Sequence, residues 1–279
     1  MSISIRPAKA EDRAAALEAE KKATPRLSYL GAVYDDWREE PEGALLVAEH
    51  DKEVVAVGKF TVVPDGSAWL EALRVRPDRQ GLGIGKAFYE RFLALAEEKK
   101  IHTLRMYTGV KNETSRGLAE RFGFSLAAQF SGFTFPLDKK PVEEAEGNFV
   151  SLTPKEAAKK APKMQKNWGP YAVMNRTFYK TSVELMSDWA GRGFVYADEK
   201  TGALAVLGAR FLPAAGLHLA MFSPENEKAL AFARQTTYQR GLPSLYCMVL
   251  TCRQDVKDFL QEAGGLQDFA DCLVMEKNT

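Results

Sequence analysis

The clearest periodic stretch of the chain follows Lys86, where Phe88, Phe92, Leu95 and Ala96 fall at i, i+4, i+7 and i+8. That single apolar stripe predicts a helix packed on a sheet, ended in water by Glu97, Glu98, Lys99 and Lys100. Upstream, apolar runs predict strands over Ile3 to Pro7, Ala44 to Glu49, Val54 to Val63 and Ser67 to Arg76, the middle two paired antiparallel around a turn at Asp51-Lys52. Between them lie an Ala- and Glu-rich helix, Ala10 to Lys22, and a second helix, Tyr29 to Glu39, with Tyr34 and Trp37 on one side. Downstream come a strand from Thr103 to Thr108, a helix N-capped by Asn112 and C-capped by Gly123, and a last strand from Ala128 to Leu137.

The second half repeats the first in faded form. Leu45 to Gly58 parallels Phe194 to Gly208 in character, and Trp69 to Pro77 parallels Leu217 to Pro224. Pro77 maps to Pro224 at an offset of 147, whereas Ile101 to Leu242 and Gly123 to Gly264 both give 141. Six residues are therefore missing between the strand-ending proline and the end of the next helix. The sequence predicts an α/β (α+β) protein of two tandem domains, 1–137 and 146–279, joined by a charged linker from Asp138 to Gly147 that carries Pro141.

Composition narrows the function classes. A length of 279 residues accommodates two domains of roughly 130 each, and 46% hydrophobic residues can fill their cores. A net charge of +1 gives no global argument for a nucleic-acid or membrane partner. The lysines of 155–166 are diluted by alanine and fit a solvated helix face. No apolar stretch has the length of a membrane span, the N-terminus lacks a signal-peptide pattern, and Cys247, Cys252 and Cys272 read as reduced core residues, so a cytoplasmic protein is expected. His50, His102 and His218 are dispersed, and no metal site is expected. Oligomeric state is left open.

The chemistry concentrates in residues 74–86, Arg-Val-Arg-Pro-Asp-Arg-Gln-Gly-Leu-Gly-Ile-Gly-Lys, between a strand and the periodic helix. Alternating Gly81, Gly83 and Gly85 allow a tight turn whose N–H groups, at a helix N-terminus, favour a phosphate. G-x-G-x-x-G fails because position 86 is Lys. G-x-x-x-x-G-K-[ST] fails because Gly81 is four residues before Gly85 and Ala87 follows Lys86. Gln80-x-x-Gly83-x-Gly85 resembles the acetyl-coenzyme A signature of the GCN5-related N-acetyltransferases (GNAT), and the helix from Asn112 through Ser115 and Leu118 to Gly123-Phe124 resembles that family's second block. The resemblance covers about residues 1–137. It implies in each domain a mixed, mostly antiparallel sheet flanked by helices, with acetyl-CoA as co-substrate and no metal. The second copy reads as degenerate: Ser223-Pro224-Glu225-Asn226 starts a helix without alternating glycines, and Glu225 would repel phosphate.

The resemblance further implies that backbone groups of Leu73, Arg74 and Val75 hold the pantetheine. Gln80, Gly81, Leu82, Gly83, Ile84, Gly85 and Lys86 would hold the pyrophosphate, Arg79 or Lys86 adding charge, and Asn112 and Ser115 would lie along the same arm. Transfer to an amine needs a base, because aliphatic amines are protonated at neutral pH. Glu71, two residues before Leu73 and expected on the same strand face, is the candidate. Many family members carry a tyrosine after the leucine at 118 as general acid; here that position is Ala119, leaving Tyr107 or water. Tyr29, Tyr34 and Trp37, with Asp35 and Asp36, fall where the family's first two helices wall the acceptor site, an arrangement suited to a small amine. Tyr34-Asp-Asp-Trp-Arg-Glu-Glu-Pro and Glu71-Ala-Leu-Arg-Val also resemble the histidine N-acetyltransferase-type branch, which implies an amino-acid acceptor. A cytosolic acetyltransferase, its second domain shaping the acceptor cleft, and a non-catalytic acyl-CoA-binding or interaction protein both remain open from sequence.

Overall fold

The structure, a computed structural model, describes residues 3–25, 27–138, 147–223, 227–267 and 271–279. The expected linker, apart from Asp138 and Gly147, and the segment Pro224-Glu225-Asn226 lie outside the described residues. The chain divides into two compact units, one formed by Met1–Thr108, Asn112–Leu126 and Met275–Thr279, the other by Gly109–Lys111 and Ala127–Val274.

Unit one begins with β1 (Ile3–Pro7), α1 (Arg13–Ala23), α2 (Leu30–Glu39), β2 (Ala44–His50) and β3 (Glu53–Val62). It continues through β4 (Ala68–Val75), α3 (Ile84–Glu98), β5 (Thr103–Gly109) and α4 (Glu113–Arg121). Strands β1 to β4 are antiparallel neighbours in chain order, and β5 joins β4 in parallel. The β2–β3 turn works because Asp51 and Lys52 both take left-handed φ values, 52° and 66°, the backbone that a two-residue hairpin requires.

Alternation along β3 sorts the two faces of the sheet. Phe60 and Gly58 face α3: Phe60 packs on Phe92 with ring centroids 6.4 Å apart, and a Cβ at Gly58 would lie 2.9 Å from the Phe88 ring. The stripe read from sequence, Phe88, Phe92, Leu95 and Ala96, is buried there. Lys59 and Thr61 point the other way, toward α1 and α2, where Lys59 Nζ donates to the Trp37 carbonyl at 3.3 Å and pairs with Glu40. One face of the sheet is thus an apolar floor. The other buries a polar row, Lys59, Thr61 and Glu71, beside Leu45, Val47, Val57 and Trp69.

The first helical turn is tied down by Arg6, which holds Asp12 through two hydrogen bonds of 2.6 and 2.9 Å, while Asp12 also accepts the Lys9 N–H at 2.8 Å. These donors hold the Asp12 carboxyl below its ordinary range, the Arg6 hydrogen bond contributing most. A lowered folded-state pKa stabilises the fold above the unfolded value and loses that effect as pH falls through the folded value. Asp12→Asn should therefore cost about 1–2 kcal/mol at pH 7. Urea titrations should show the gap closing toward pH 3, and a gap of equal size at both pH values would refute the assignment.

Unit two takes in most of β6 (Ser125–Pro136), then β7 (Phe149–Ser151), α5 (Pro154–Trp168), β8 (Tyr171–Met174), β9 (Thr177–Lys180) and α6 (Val183–Gly191). After these come β10 (Val195–Asp198), β11 (Leu204–Gly208), β12 (Leu217–Phe222), α7 (Glu227–Gln239), β13 (Ser244–Leu250), α8 (Gln254–Glu262) and β14 (Leu266–Gln267). The last strand, β15 (Cys272–Asn278), starts here. Its sheet repeats the plan of unit one: β7, β10, β11 and β12 are antiparallel neighbours and β13 adds in parallel. The hairpin β8–β9 is an insertion, and its buried first strand lies against β12. The fold is two tandem α/β units, each with a mixed, mostly antiparallel sheet flanked by helices.

Compactness and sequence repeat divide the chain differently. In unit one the end of β15 runs beside β5: Thr103 bonds Asn278 at 3.0 Å, Arg105 bonds Glu276 at 2.6 Å, and the Thr279 N–H reaches the His102 carbonyl at 2.8 Å. In unit two β6 pairs with β13 from Phe130↔Leu250 to Pro136↔Ser244. The strand closing each copy's sheet is therefore the last strand of the other copy.

Candidate functional site

The site grows from an irregularity in β4. Lys59 pairs with Glu71 and Val57 with Arg74, so two steps along β3 oppose three along β4. The extra residue is a β-bulge at Ala72, whose φ is +53°. Beyond it β4 also leaves β5: their parallel register runs Ala68↔Leu104, Trp69↔Arg105 and Leu70↔Met106 and then stops, although β4 continues to Val75 and β5 to Gly109. The strands splay, and the β4 edge from Glu71 onward has no ladder partner on the β5 side. An extended amide-bearing ligand can take that place as a strand would. Leu73 and Val75, expected to hold pantetheine through their backbones, lie on this edge.

The bulge corrects one expectation. Glu71 and Leu73 do not share a face; Glu71 shares its face with Arg74, because their partners Lys59 and Val57 are two apart on β3.

After β4 a short turn at Pro77–Arg79 leads into the glycine loop, and the Gln80 amide donates back to the Val75 carbonyl at 3.2 Å. Gly81 and Gly83 have φ values of +80° and +87°, and a Cβ built on either would meet no protein atom within 4 Å. Their need is backbone conformation beside open space. Gly85 differs: its Cβ would lie 2.9 Å from Leu118, so it lets α3 approach α4. The first intrahelical bond of α3 runs from Ala87 N–H to the Gly83 carbonyl at 3.0 Å. The N–H groups of Ile84, Gly85 and Lys86 precede it and have no intrahelical acceptor, and with the helix dipole they form an anion site. These residues fit a pyrophosphate. Of the expected charges, Arg79 is already paired with Glu53 at 3.2 Å, while Lys86 is 68% exposed and 3.6 Å from Glu90. Leu82 is exposed at the loop tip. Asn112 caps α4 by accepting the Ser115 N–H at 3.1 Å.

On the polar face, Thr61 donates to Glu71 Oε1 at 2.6 Å, orienting a carboxylate that is 9% exposed. Tyr107 lies parallel to Trp69 with centroids 6.1 Å apart. Tyr29 meets Trp37 edge-on at 5.9 Å. Burial pushes the Tyr29 phenol up, the Glu71 charge adds to the rise and Arg74 opposes it, with Tyr107 and Glu20 contributing further. Tyr29, Glu71, Arg74 and Tyr107 thus share one electrostatic neighbourhood beside the splay.

Tyr34 does not join them. It is fully buried, its hydroxyl bonded to the Lys9 carbonyl at 2.8 Å, and it belongs to the core. Asp35 and Asp36 are exposed on the opposite side of α2, Asp35 beside Arg13 and Arg38, so the expected acidic wall is a solvated helix face. The cause is helical period: Leu30, Val33, Tyr34 and Trp37 take the inward stripe. Two participants escaped the sequence reading. Glu20, 2% exposed, receives the N–H groups of Tyr29 and Leu30 and so caps α2 from α1. Thr61 could have been found by registering β3 on β4 across the turn before Ser67. Ala119 is fully buried and supplies no hydroxyl.

In unit two β12 carries a matching irregularity, Val206↔Met221 being followed by Leu207↔Leu219. β12 ends at Phe222 and α7 begins at Glu227, whereas β4 ends at Val75 and α3 begins at Ile84. Among the described residues no three His, Cys, Asp or Glu side chains converge as a metal site, and no described helix is long and apolar enough to cross a membrane.

Comparison with known proteins agrees with this geometry. The profile of the acetyltransferase (GNAT) family matches residues 12–124. Among solved structures, a candidate acetyltransferase from Pyrococcus horikoshii superposes with a TM-score of 0.68 at 18% identity, covering 99% of this chain and 89% of that one. A GCN5-related N-acetyltransferase from Sphaerobacter thermophilus gives 0.65 at 16% identity, covering 99% and 95%. A tandem GNAT protein from the clavulanic acid biosynthesis pathway gives 0.63 at 14% identity, covering 99% and 98%. At these identities the likeness is one of fold. None of the curated proteins compared with the chain matches it.

Proposed function

We propose that this chain, whose residues 12–124 belong to the acetyltransferase (GNAT) family, transfers an acetyl group from acetyl-CoA to a primary amine of a small molecule by direct attack in a ternary complex. The observation that carries the reading is the conjunction, within unit one, of the β4–β5 splay and the open glycine loop at the N-terminus of α3. The loop N–H groups from Gly81 to Lys86 bind the pyrophosphate, and the free edge of β4 at Leu73 and Val75 binds the pantetheine amides. Acetyl-CoA supplies the activated acetyl group when bound. A backbone N–H of that edge, aimed at the thioester carbonyl, polarises it.

Glu71, held by Thr61, takes a proton from the ammonium and frees its lone pair; as the amide C–N bond forms the nitrogen gives a second proton to solvent, and the thioester C–S bond breaks with the electron pair leaving on sulfur. Tyr107, or water in its stead, returns a proton to that sulfur. Holding both reactants in one cleft supplies much of the acceleration.

Thiol release and product mass, followed with purified protein, acetyl-CoA and a broad panel of primary amines, test this directly. Turnover confined to a narrow set of amines is the expected result. Tight acetyl-CoA binding without turnover across the panel would instead establish an acyl-CoA-binding module.

A further inference from the structure

Around the splay, three arginines are matched by carboxylates and one is not. Arg76 sits against Asp78 at 2.7 Å and Glu53 at 3.6 Å, and Arg79 against Glu53 at 3.2 Å. Arg105 lies between Asp65 and Glu276 at 2.7 and 2.6 Å. Arg74 forms no ion pair among the described residues. Its Nη1 donates to the Leu73 carbonyl at 3.1 Å, and its buried Nε has no hydrogen-bond partner. A buried donor left unmade is costly, the more so on a charged group. A guanidinium in that condition is made good by an anionic oxygen, best by a carboxylate that meets two of its N–H groups in plane.

The place of Arg74 decides which ligand could bring that oxygen. An unbroken strand would set residues 71 and 74 on opposite faces. The bulge at Ala72 brings Arg74 onto the face of Glu71, the polar face under α1 and α2, away from the apolar floor under α3. Base and cation therefore stand on one side of β4, within the reach of one small molecule, with the half-buried Tyr29 and Tyr107 near both.

We propose that the acceptor is an amine that itself carries a carboxylate, as a free amino acid does, its carboxylate received by Arg74 and its amine directed to Glu71. This rests on the acetyltransferase reading above. Arg74 then has a second role beside its backbone's expected part in holding pantetheine: its side chain selects the acceptor.

Each L-amino acid set against its C-terminal amide isolates the carboxylate. The wild-type protein should acetylate its best acids with kcat/KM about 10- to 100-fold above the matching amides, the range of one or two hydrogen bonds to a charged group. Arg74→Gln should raise KM for the acids far more than for the amides and so remove that preference. Arg74→Lys should recover part of the preference, since it restores the charge but not the planar pair of donors. Amides acetylated as well as acids, or an equal fall for both in Arg74→Gln, would overturn the proposal. If no amine of either kind turns over, the enzyme reading fails first. Calorimetry with N-acetyl amino acids on the CoA-loaded protein then decides the site: binding lost in Arg74→Gln upholds a carboxylate site, and binding that is absent or insensitive to Arg74 overturns it.

Discussion

Gly83→Asp should lower acetyl-CoA affinity by about 100-fold or more at a cost of only about 1–2 kcal/mol to the fold. Gly83 stands immediately before α3 with φ at +87°, and a Cβ there touches nothing within 4 Å. Aspartate is among the few side chains that tolerate this backbone. Its charge also complements the dipole of α3, which offsets part of the backbone strain. The same carboxylate would occupy the space and the donors that a pyrophosphate needs. It would also set a negative charge against the phosphates. Losing two charge-assisted hydrogen bonds amounts to at least about 3 kcal/mol. Gly83→Asn, equal in size but neutral, separates charge from bulk and should fall between the wild type and aspartate. Calorimetry that shows wild-type affinity for Gly83→Asp would remove the cradle from the account.

The second large effect is expected at Glu71. Glu71→Gln keeps an oxygen for the Thr61 hydroxyl, so the strand pairing and the buried hydrogen bond can persist. What is lost is the ability to take a proton. The rate of the chemical step should fall by about 100- to 10,000-fold, the usual worth of a positioned base. Acetyl-CoA affinity should change by less than about 2-fold, because the carboxylate is assigned to the acceptor side of β4. Single-turnover rates with enzyme in excess, which isolate the chemical step, should carry the whole loss. A variant whose single-turnover rate matches the wild type would reduce Glu71 to a structural member of the Lys59–Glu71 cross-strand pair.

The loop was legible in the sequence because its determinants are local. Positive φ at Gly81 and Gly83, the proline that ends the strand and the apolar stripe of α3 each depend on neighbours a few residues away. The polar face was legible only in part. Tyr34 and Trp37 were correctly placed on one side of α2, but periodicity cannot tell whether an inward side lines a cleft or the core, and for Tyr34 it is the core. Ala72 carries no mark of its left-handed backbone. Nothing in an alanine between Glu71 and Leu73 announces a bulge, and the expectation that Glu71 and Leu73 share a face fails for that reason.

The sequence by itself determined the order of strands and helices over residues 1–137 and the glycine loop between β4 and α3, because each follows from short-range backbone preference and side-chain spacing. Tertiary structure alone decided two things. It chose the strand that closes each sheet, with the end of β15 beside β5 and β6 beside β13, since edge pairing depends on residues far apart in the chain. It also turned Arg74 to the face of Glu71, since one extra residue in a strand reverses every side chain beyond it.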